Sequence, residues 1–448
     1  MERIVKTPIK TQQNNMILSL PITAHIELTS SCCFRCRHCY NFWRQQESQA
    51  EFISDEKLDK ILNELIENKI MHVIFTGGEP FLNNRTLLRG IKKLKEAGSS
   101  VTCNSTLAVA NSAAELKKLK DAGLEHILTS INSYRPQIND TLVSVPGAYS
   151  RIIEGIKNAV AVGIRISVNM IISESNIRDI YLTAELANKL GAKKFFGTRV
   201  VPHITKTIDQ QKEFLISRNE ANYILDELIK VEDDFGLQVG TLIPFPYCLM
   251  DKNGHLRRYT NFYSHGCPAG SKMISINANG NAHACVHEDK SYGNIFEIGI
   301  RGVWERMKEW RSGEIFPESC KNCPVFDECN GGCRLCALAY GGKISADDNL
   351  KLGWDKTAEI YFNDEYTNLK LEGLKCFVPS GLRFRKEDGF YVIDRFGSEM
   401  LCVKSDIACI LKDRCEEGKI FSPQVVGLNE IEVIKTLLRQ KLLCMEQE

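Results

Sequence analysis

Ser31-Cys32-Cys33-Phe34-Arg35-Cys36-Arg37-His38-Cys39-Tyr40 is the stretch on which the fold turns. Thiolates at Cys32, Cys36 and Cys39, spaced Cys-x3-Cys-x2-Cys on one loop, can hold three irons of a [4Fe–4S] cube and leave the fourth without a protein ligand. An open iron is a reactive iron. Zinc, the competing use of such thiols, usually closes with four ligands in paired Cys-x2-Cys knuckles, and no second knuckle lies near this loop. Upstream, Ile22 to Thr29 alternates apolar and polar residues like a strand. The cysteine loop therefore follows the C-terminal end of a first β-strand, where barrel enzymes keep their chemistry.

Downstream, Leu58, Ile61, Leu62 and Leu65 fall at helical spacing behind Ser54, an N-cap residue type. A second strand, Val73 to Thr76, then runs into Gly77-Gly78-Glu79-Pro80. The cysteine loop followed by this turn resembles the signature of the radical S-adenosylmethionine (SAM) enzymes. The resemblance implies that SAM chelates the open iron, that an electron from the cluster cleaves SAM to a 5′-deoxyadenosyl radical, and that this radical abstracts a hydrogen from substrate. It also implies that the Gly77–Pro80 backbone and Glu79 contact the SAM amino group, glycine letting a ligand approach closely.

Strand signals continue at Val101 to Cys103, His126 to Ile131, Arg165 to Ile171 and Lys194 to Val200. Helical stretches lie near Leu87 to Leu94, Ala113 to Leu119, Ser150 to Val162, Ile177 to Leu190 and Glu213 to Val231. Six successive βα units argue for a parallel sheet curled into an open barrel. That matches the partial (β/α)6, TIM-like barrel of the radical SAM core, an α/β fold covering about residues 20 to 235. By the same resemblance Tyr40, Asn104, Ser130 and Arg151 join the SAM contacts. Ser105 replaces the glycine of the family's Thr-Asn-Gly, and Arg199 competes with Arg151 for the SAM carboxylate.

Eighteen cysteines in 448 residues exceed average usage. The chain opens polar, with Lys6, Lys10, Gln12 and Gln13, and lacks the 7–15-residue apolar core of a signal sequence. No run approaches the ~18 apolar residues of a membrane span. These features predict a reducing, cytoplasmic setting without a membrane. A formal net charge of +1 gives no reason to expect a nucleic-acid partner.

A second cysteine field reads Cys267-x12-Gly280-x4-Cys285, then Cys320-x2-Cys323-x5-Cys329-x3-Cys333. With Gly293-Asn294-Ile295, Trp304 and Gly331-Gly332-Cys333-Arg334, it resembles the SPASM extension of radical SAM enzymes, which carries auxiliary iron–sulfur clusters. The resemblance implies two auxiliary [4Fe–4S] clusters: one on Cys267, Cys285, Cys333 and upstream Cys248, the other on Cys320, Cys323 and Cys329. The second lacks the distal cysteine that relatives carry, leaving Cys336, Asp347, Asp348 or an open iron. Cys33, Cys103, Cys376, Cys402, Cys409, Cys415 and Cys444 read as buried small hydrophobes or free thiols.

Further on, Gly381 to Ile393 reads as two short strands about Asp388-Gly389, followed by helices near Asp406 to Cys415 and Glu430 to Leu438. This order resembles the winged-helix-like α+β module that binds leader peptides as an added strand. The expected organisation is an N-terminal extension (1–20), a radical SAM core (21–240), an SPASM domain (241–352), a linker (353–375) and the module (376–448).

The resemblance thus implies a maturase that oxidatively cross-links a ribosomally made peptide through a thioether, C–C or C–O bond. A precursor peptide bound through its leader, and an electron donor such as flavodoxin or ferredoxin, are the implied partners. Two alternatives stand beside it. One is a sulfatase-type maturase making formylglycine, although Val286 stands where that group has an aspartate. The other is a non-catalytic iron–sulfur electron-transfer or scaffold protein.

Overall fold

A computed structural model describes residues 17–41, 51–203, 206–251, 266–323, 326–353, 366, 369–395 and 400–446. Residues 1–16 of the N-terminal extension and much of the 353–375 linker fall outside these residues. Two compact units emerge, one within Leu20–Phe362 and one within Asn363–Glu448.

In the first unit, β1 (Thr23–Glu27), β2 (His72–Thr76), β3 (Ser100–Asn104), β4 (His126–Ser130), β5 (Arg165–Ile171), β6 (Lys194–Thr198) and β7 (Gln238–Gly240) pair in sequence, all parallel. Two further strands, β8 (Met273–Ile276) and β9 (Ala282–His283), extend the sheet beyond β1 to nine strands in the order β7-β6-β5-β4-β3-β2-β1-β8-β9. The sheet is therefore open. One face is apolar, as a face covered by crossover helices requires, whereas the alternate positions, among them His25, Glu27, Thr102, Asn104, His126, Ser130 and Asn169, are mostly polar. Val73, Phe75, Val101, Ile127, Ile166 and Val168 are fully buried.

Local signals explain the helices. Ser54 caps helix Asp55–Glu67 by accepting the Lys57 N–H at 3.2 Å, and Leu58, Ile61, Leu62 and Leu65 form its buried stripe. A reciprocal capping box of Ser217 and Glu220 opens helix Arg218–Phe235. That helix begins five residues later than expected, because Asp209–Phe214 winds as a separate 3₁₀ turn. Three features escaped periodicity: the eight-residue helix Pro136–Val143, the three-residue strand β7, and the pairing of β8 onto β1. Each is short or depends on a partner far along the chain.

In the second unit, β11 (Arg383–Lys386), β12 (Tyr391–Asp394) and β13 (Leu401–Val403) form an antiparallel sheet in that order. The strand preceding it, β10 (Cys376–Phe377), pairs instead with β14 (Cys444–Met445). The β11–β12 hairpin turns at Asp388-Gly389, where Gly389 takes φ +81°. Helices Ser405–Glu417 and Ile431–Arg439 bury Leu411, Ile434, Leu437 and Leu438 against Ile393, Leu401 and Val403.

Candidate functional site

Parallel strands bring their C-terminal ends to one side, so the loops after β1, β2 and β3 meet there. The cysteine loop after β1 is pinned along its length. Arg35 and Arg37 donate their backbone N–H groups to the Val143 and Leu142 carbonyls at 3.1 and 3.0 Å, and the Cys39 N–H bonds the Cys36 carbonyl at 3.1 Å. The Phe34 N–H points at the Cys32 sulfur at 3.4 Å. Cys33 is more than filler: its thiol lies 3.6 Å from the Thr106 hydroxyl and shares a hydrogen bond with Cys32. Burial pushes the Cys36 thiol up, a cost that the charge of iron would offset when bound.

Gly77-Gly78-Glu79 is bolted to this loop. The Gly78 N–H bonds the Thr29 carbonyl at 2.7 Å, and the Glu79 N–H bonds the Ser31 carbonyl at 2.8 Å. A Cβ on Gly78 would sit 2.5 Å from the Ser31 carbonyl carbon and 2.9 Å from the Ser30 oxygen; one on Gly77, at φ +122°, would strike the Thr29 oxygen. The glycines thus serve close approach of protein backbone to protein backbone. Glu79 likewise differs from the expectation of a carboxylate offered to SAM. It is buried and accepts from Phe81 N–H (3.0 Å), Ser105 Oγ (2.7 Å), Thr106 N–H (2.7 Å) and Thr106 Oγ1. Burial raises its carboxyl and these four donors oppose the rise, with a net upward shift. Pro80 starts the short 3₁₀ turn that follows.

A pocket opens beside the loop, bordered by Arg37, His38, Cys39, Tyr40, His203, His287 and Asp289 among others. Tyr40 stacks on His287 with ring centroids 4.8 Å apart. His287 in turn places Nδ1 3.5 Å from the Cys285 sulfur, and its N–H donates to that sulfur at 3.5 Å. This Tyr40–His287–Cys285 contact joins the two cysteine fields, and no sequence signal announced it. Burial lowers both His38 and His287 to about 4, keeping the imidazoles neutral. Glu288 turns away, accepting the Ala284 N–H at 3.1 Å and the Tyr292 hydroxyl at 3.3 Å.

Of the remaining SAM-contact candidates, Asn104 and Ser130 end β3 and β4, and the Arg151 guanidinium lies 5.8 Å over the Phe34 ring of the cysteine loop. Arg199 is corrected. Its guanidinium is buried and grips both Asp348 oxygens, at 3.0 and 2.5 Å, and the Pro244 carbonyl at 2.6 Å. It is committed to the fold.

All eighteen cysteines are free thiols. The second field sorts its cysteines into two groups. Cys285 packs on Cys333 and Cys336, and Cys267 and Cys333 are electrostatic neighbours of the Cys285 sulfur. Burial pushes the Cys267 thiol up to about 12. Cys248 does not join them. Its sulfur neighbours Cys320 and Cys329, and the adjoining Tyr247 N–H bonds the Cys329 sulfur at 3.4 Å. The reason is the short helix Tyr247–Asp251, which follows β7 and carries Cys248 under Leu352, whose N–H reaches its sulfur at 3.4 Å. Cys336, conversely, hydrogen-bonds Cys333. Of the alternative carboxylate ligands, Asp348 is engaged with Arg199 and the Cys333 N–H (2.8 Å), while Asp347 accepts from Ser319 Oγ (2.6 Å) and Lys351 (3.0 Å) and neighbours the Cys320 thiol. Among the described residues, no three His, Cys, Asp or Glu side chains converge on a single ion. Buried thiols carrying backbone N–H donors are the donor set that iron–sulfur clusters use.

Comparison with known proteins agrees with this chemistry. The Radical SAM superfamily profile matches residues 26–187, and that of the SPASM iron–sulfur cluster-binding domain matches residues 267–324. Similar proteins include the PqqA peptide cyclase of Rhizobium meliloti, 24% identical over 78% of this chain and 91% of that protein. The subtilosin biosynthesis protein AlbA of Bacillus subtilis is 29% identical over 71% of this chain and 68% of AlbA. The Fe-coproporphyrin III synthase of Methanosarcina barkeri is 25% identical over 72% and 85%. Among solved structures, Streptococcus suis SuiB bound to its precursor peptide SuiA shares the fold at TM-score 0.57 and 18% identity, over 80% of this chain and 78% of that one. The fold of anSMEcpe with bound AdoMet is shared at TM-score 0.61 and 14% identity, over 74% and 90%. The radical SAM domain binds a [4Fe–4S] cluster and SAM, and the SPASM domain binds iron–sulfur. The chain therefore carries a radical SAM domain, over residues 26–187, and an SPASM iron–sulfur cluster-binding domain, over residues 267–324.

Proposed function

We propose that this enzyme oxidatively modifies a ribosomally made peptide, closing a thioether, C–C or C–O cross-link. The observation that carries the reading is the Tyr40–His287–Cys285 contact, in which one side chain, His287, stands between the Cys285 thiol and the pocket that the cysteine loop borders. Cross-linking removes two electrons from substrate, so a shielded acceptor near the reacting carbon is the device such a reaction needs.

Cys32, Cys36 and Cys39 would hold the cluster that binds SAM; Cys267, Cys285 and Cys333 one auxiliary cluster; Cys320, Cys323 and Cys329 another. When bound, these groups supply the 5′-deoxyadenosyl radical and the electron acceptors. The chain's own residues do the rest. Glu79 fixes the Ser105-Thr106 turn against the cysteine loop, and Arg151 lies over Phe34 within that loop. Asp289 borders the pocket and would be the base for the substrate's second proton. The edge strands β11 and β13 of the small sheet suit a leader peptide bound as an added strand. Flavodoxin or ferredoxin in a reducing cytoplasm would supply electrons, in keeping with eighteen free thiols.

The relatives also include haem-pathway enzymes, namely the Fe-coproporphyrin III synthase and AdoMet-dependent heme synthases. One experiment separates the classes: anaerobic incubation of the reconstituted enzyme with SAM, reductant and candidate precursor peptides in deuterated buffer, read by intact mass. A loss of two hydrogens located by fragmentation supports the cross-link. Deuterium gained at carbon with unchanged oxidation level means epimerisation, and turnover of a coproporphyrin instead of a peptide overturns the peptide reading.

A further inference from the structure

The stretch Ser345-Ala-Asp-Asp-Asn-Leu-Lys-Leu352 contains no cysteine, and none occurs between Cys336 and Cys376. The group of Cys320, Cys323 and Cys329 thus has three thiols from its own segment and needs a fourth donor from elsewhere. Cys248 is in place for that role. It is 8% exposed on the short helix after β7, and its sulfur neighbours those of both Cys320 and Cys329. The backbone around it is arranged for sulfur. The Tyr247 N–H donates to Cys329 and the Leu352 N–H donates to Cys248, both at 3.4 Å.

Two rivals are placed against the role. Cys336 hydrogen-bonds Cys333, in the other group. Asp348 spends its oxygens on Arg199, Cys333 and Leu350. Asp347 holds Ser319 and Lys351 through one oxygen and is an electrostatic neighbour of Cys320 as Cys248 is, but it is not one of the neighbours of Cys329, which Cys248 is.

We propose that Cys248 is the fourth thiolate of the cluster held by Cys320, Cys323 and Cys329, an upstream ligand that replaces the missing distal cysteine. This rests on the reading above that both thiol groups hold clusters. The ligand stitches the segment after β7 to the cysteine-rich segment, and it closes the cluster to exogenous ligands. A fully ligated cluster of this kind passes electrons and does not bind substrate.

The test uses the full chain with Cys32, Cys36 and Cys39 changed to alanine, so that only auxiliary iron is read. Protein reconstituted anaerobically with isotopically enriched iron is compared with its C248A, C248S and D347N derivatives by iron content, Mössbauer spectroscopy and EPR after mild oxidation. The expected result is loss of about a quarter of one cluster's iron in C248A, with a three-iron EPR signal on oxidation, and a D347N protein matching the parent. C248S, which keeps a smaller oxygen donor, carries the test if C248A does not fold, and partial retention of the fourth iron is expected there. A complete four-iron spectrum in C248A and C248S, or iron loss confined to D347N, overturns the assignment. A parent protein that assembles only one auxiliary cluster overturns the two-cluster reading along with it, and is recognised before any Cys248 variant is made.

Discussion

Replacing Gly78 by alanine should disable the site without touching any group that carries its chemistry. Gly78 has an ordinary backbone conformation, so the effect is steric alone. The new Cβ would lie 2.5 Å from the Ser31 carbonyl carbon and 2.9 Å from the Ser30 oxygen, both backbone atoms of the cysteine loop. Carbon atoms sit comfortably at about 3.5 Å or more, so the loop must retreat by about 1 Å. That movement breaks or stretches the 2.7 Å Gly78–Thr29 and 2.8 Å Glu79–Ser31 hydrogen bonds. Overpacking costs roughly 1–3 kcal/mol, and two hydrogen bonds add roughly 0.5–1.5 kcal/mol each. A reacting group misplaced by about 1 Å loses on the order of 100-fold in rate. The assay is the rate of 5′-deoxyadenosine formation from SAM under dithionite, with iron content and thermal unfolding measured in parallel. Gly197→Ala is the comparison: its Cβ would meet only side chains, Ile224 at 3.3 Å and Leu228 at 3.5 Å, and the rate should stay near that of the parent. A G78A rate within about twofold of the parent would refute the claim that the loop is held by this backbone contact.

Glu79→Gln should place amide hydrogens against the Ser105 and Thr106 donors, costing roughly 2–4 kcal/mol from two lost bonds; a thermal unfolding curve unchanged from the parent would contradict the clamp. Arg199→Met should leave Asp348, whose side chain is 0% exposed, as an uncompensated buried charge, costing about 3–5 kcal/mol in urea unfolding. The double substitution R199M/D348L should regain part of that loss, and failure to do so would mean that the pair is not the source. His126, bonded to Ser167 Oγ at 2.7 Å, is lowered from 6.5 to about 3 by burial, with Lys194 and Arg165 adding to the effect. The unfolded chain therefore takes up this proton first, so the contribution is complete above pH 6.5 and is lost as pH falls toward about 3. Its size is on the order of a few kcal/mol, and H126Q should lose less stability than the parent between pH 6.5 and about 4. Parallel curves would show that His126 is not responsible.

The barrel was legible because βα alternation is written locally. Helix Asp55–Glu67 was marked by Ser54 and its apolar spacing, and β5 lies where alternation placed it, at Arg165–Ile171. The cysteine loop and the Gly77–Pro80 turn were legible for a related reason: each is a short segment in which order along the chain is nearly order in space. What depended on convergence was not. Glu79 was recognised as a site residue, but the donors that consume it come from Ser105 and Thr106 on the next strand's loop. Arg199 ends a strand as a ligand-binding arginine would, yet Asp348, far downstream in the chain, claims it.

The sequence by itself thus determined the chemical inventory: three thiols on a β1 loop, a glycine turn after β2, and a second set of cysteines at diagnostic spacing. Tertiary structure alone decided who partners whom. It moved Cys248 from the Cys267 group to Cys320 and Cys329, and it stacked Tyr40 on His287 beside Cys285. Spacing constrains residues only within a loop or along one face of a helix. A cluster's fourth ligand, or a contact between two cysteine fields, is fixed by distances of a few ångströms between segments that only the packed sheet and its crossovers bring together.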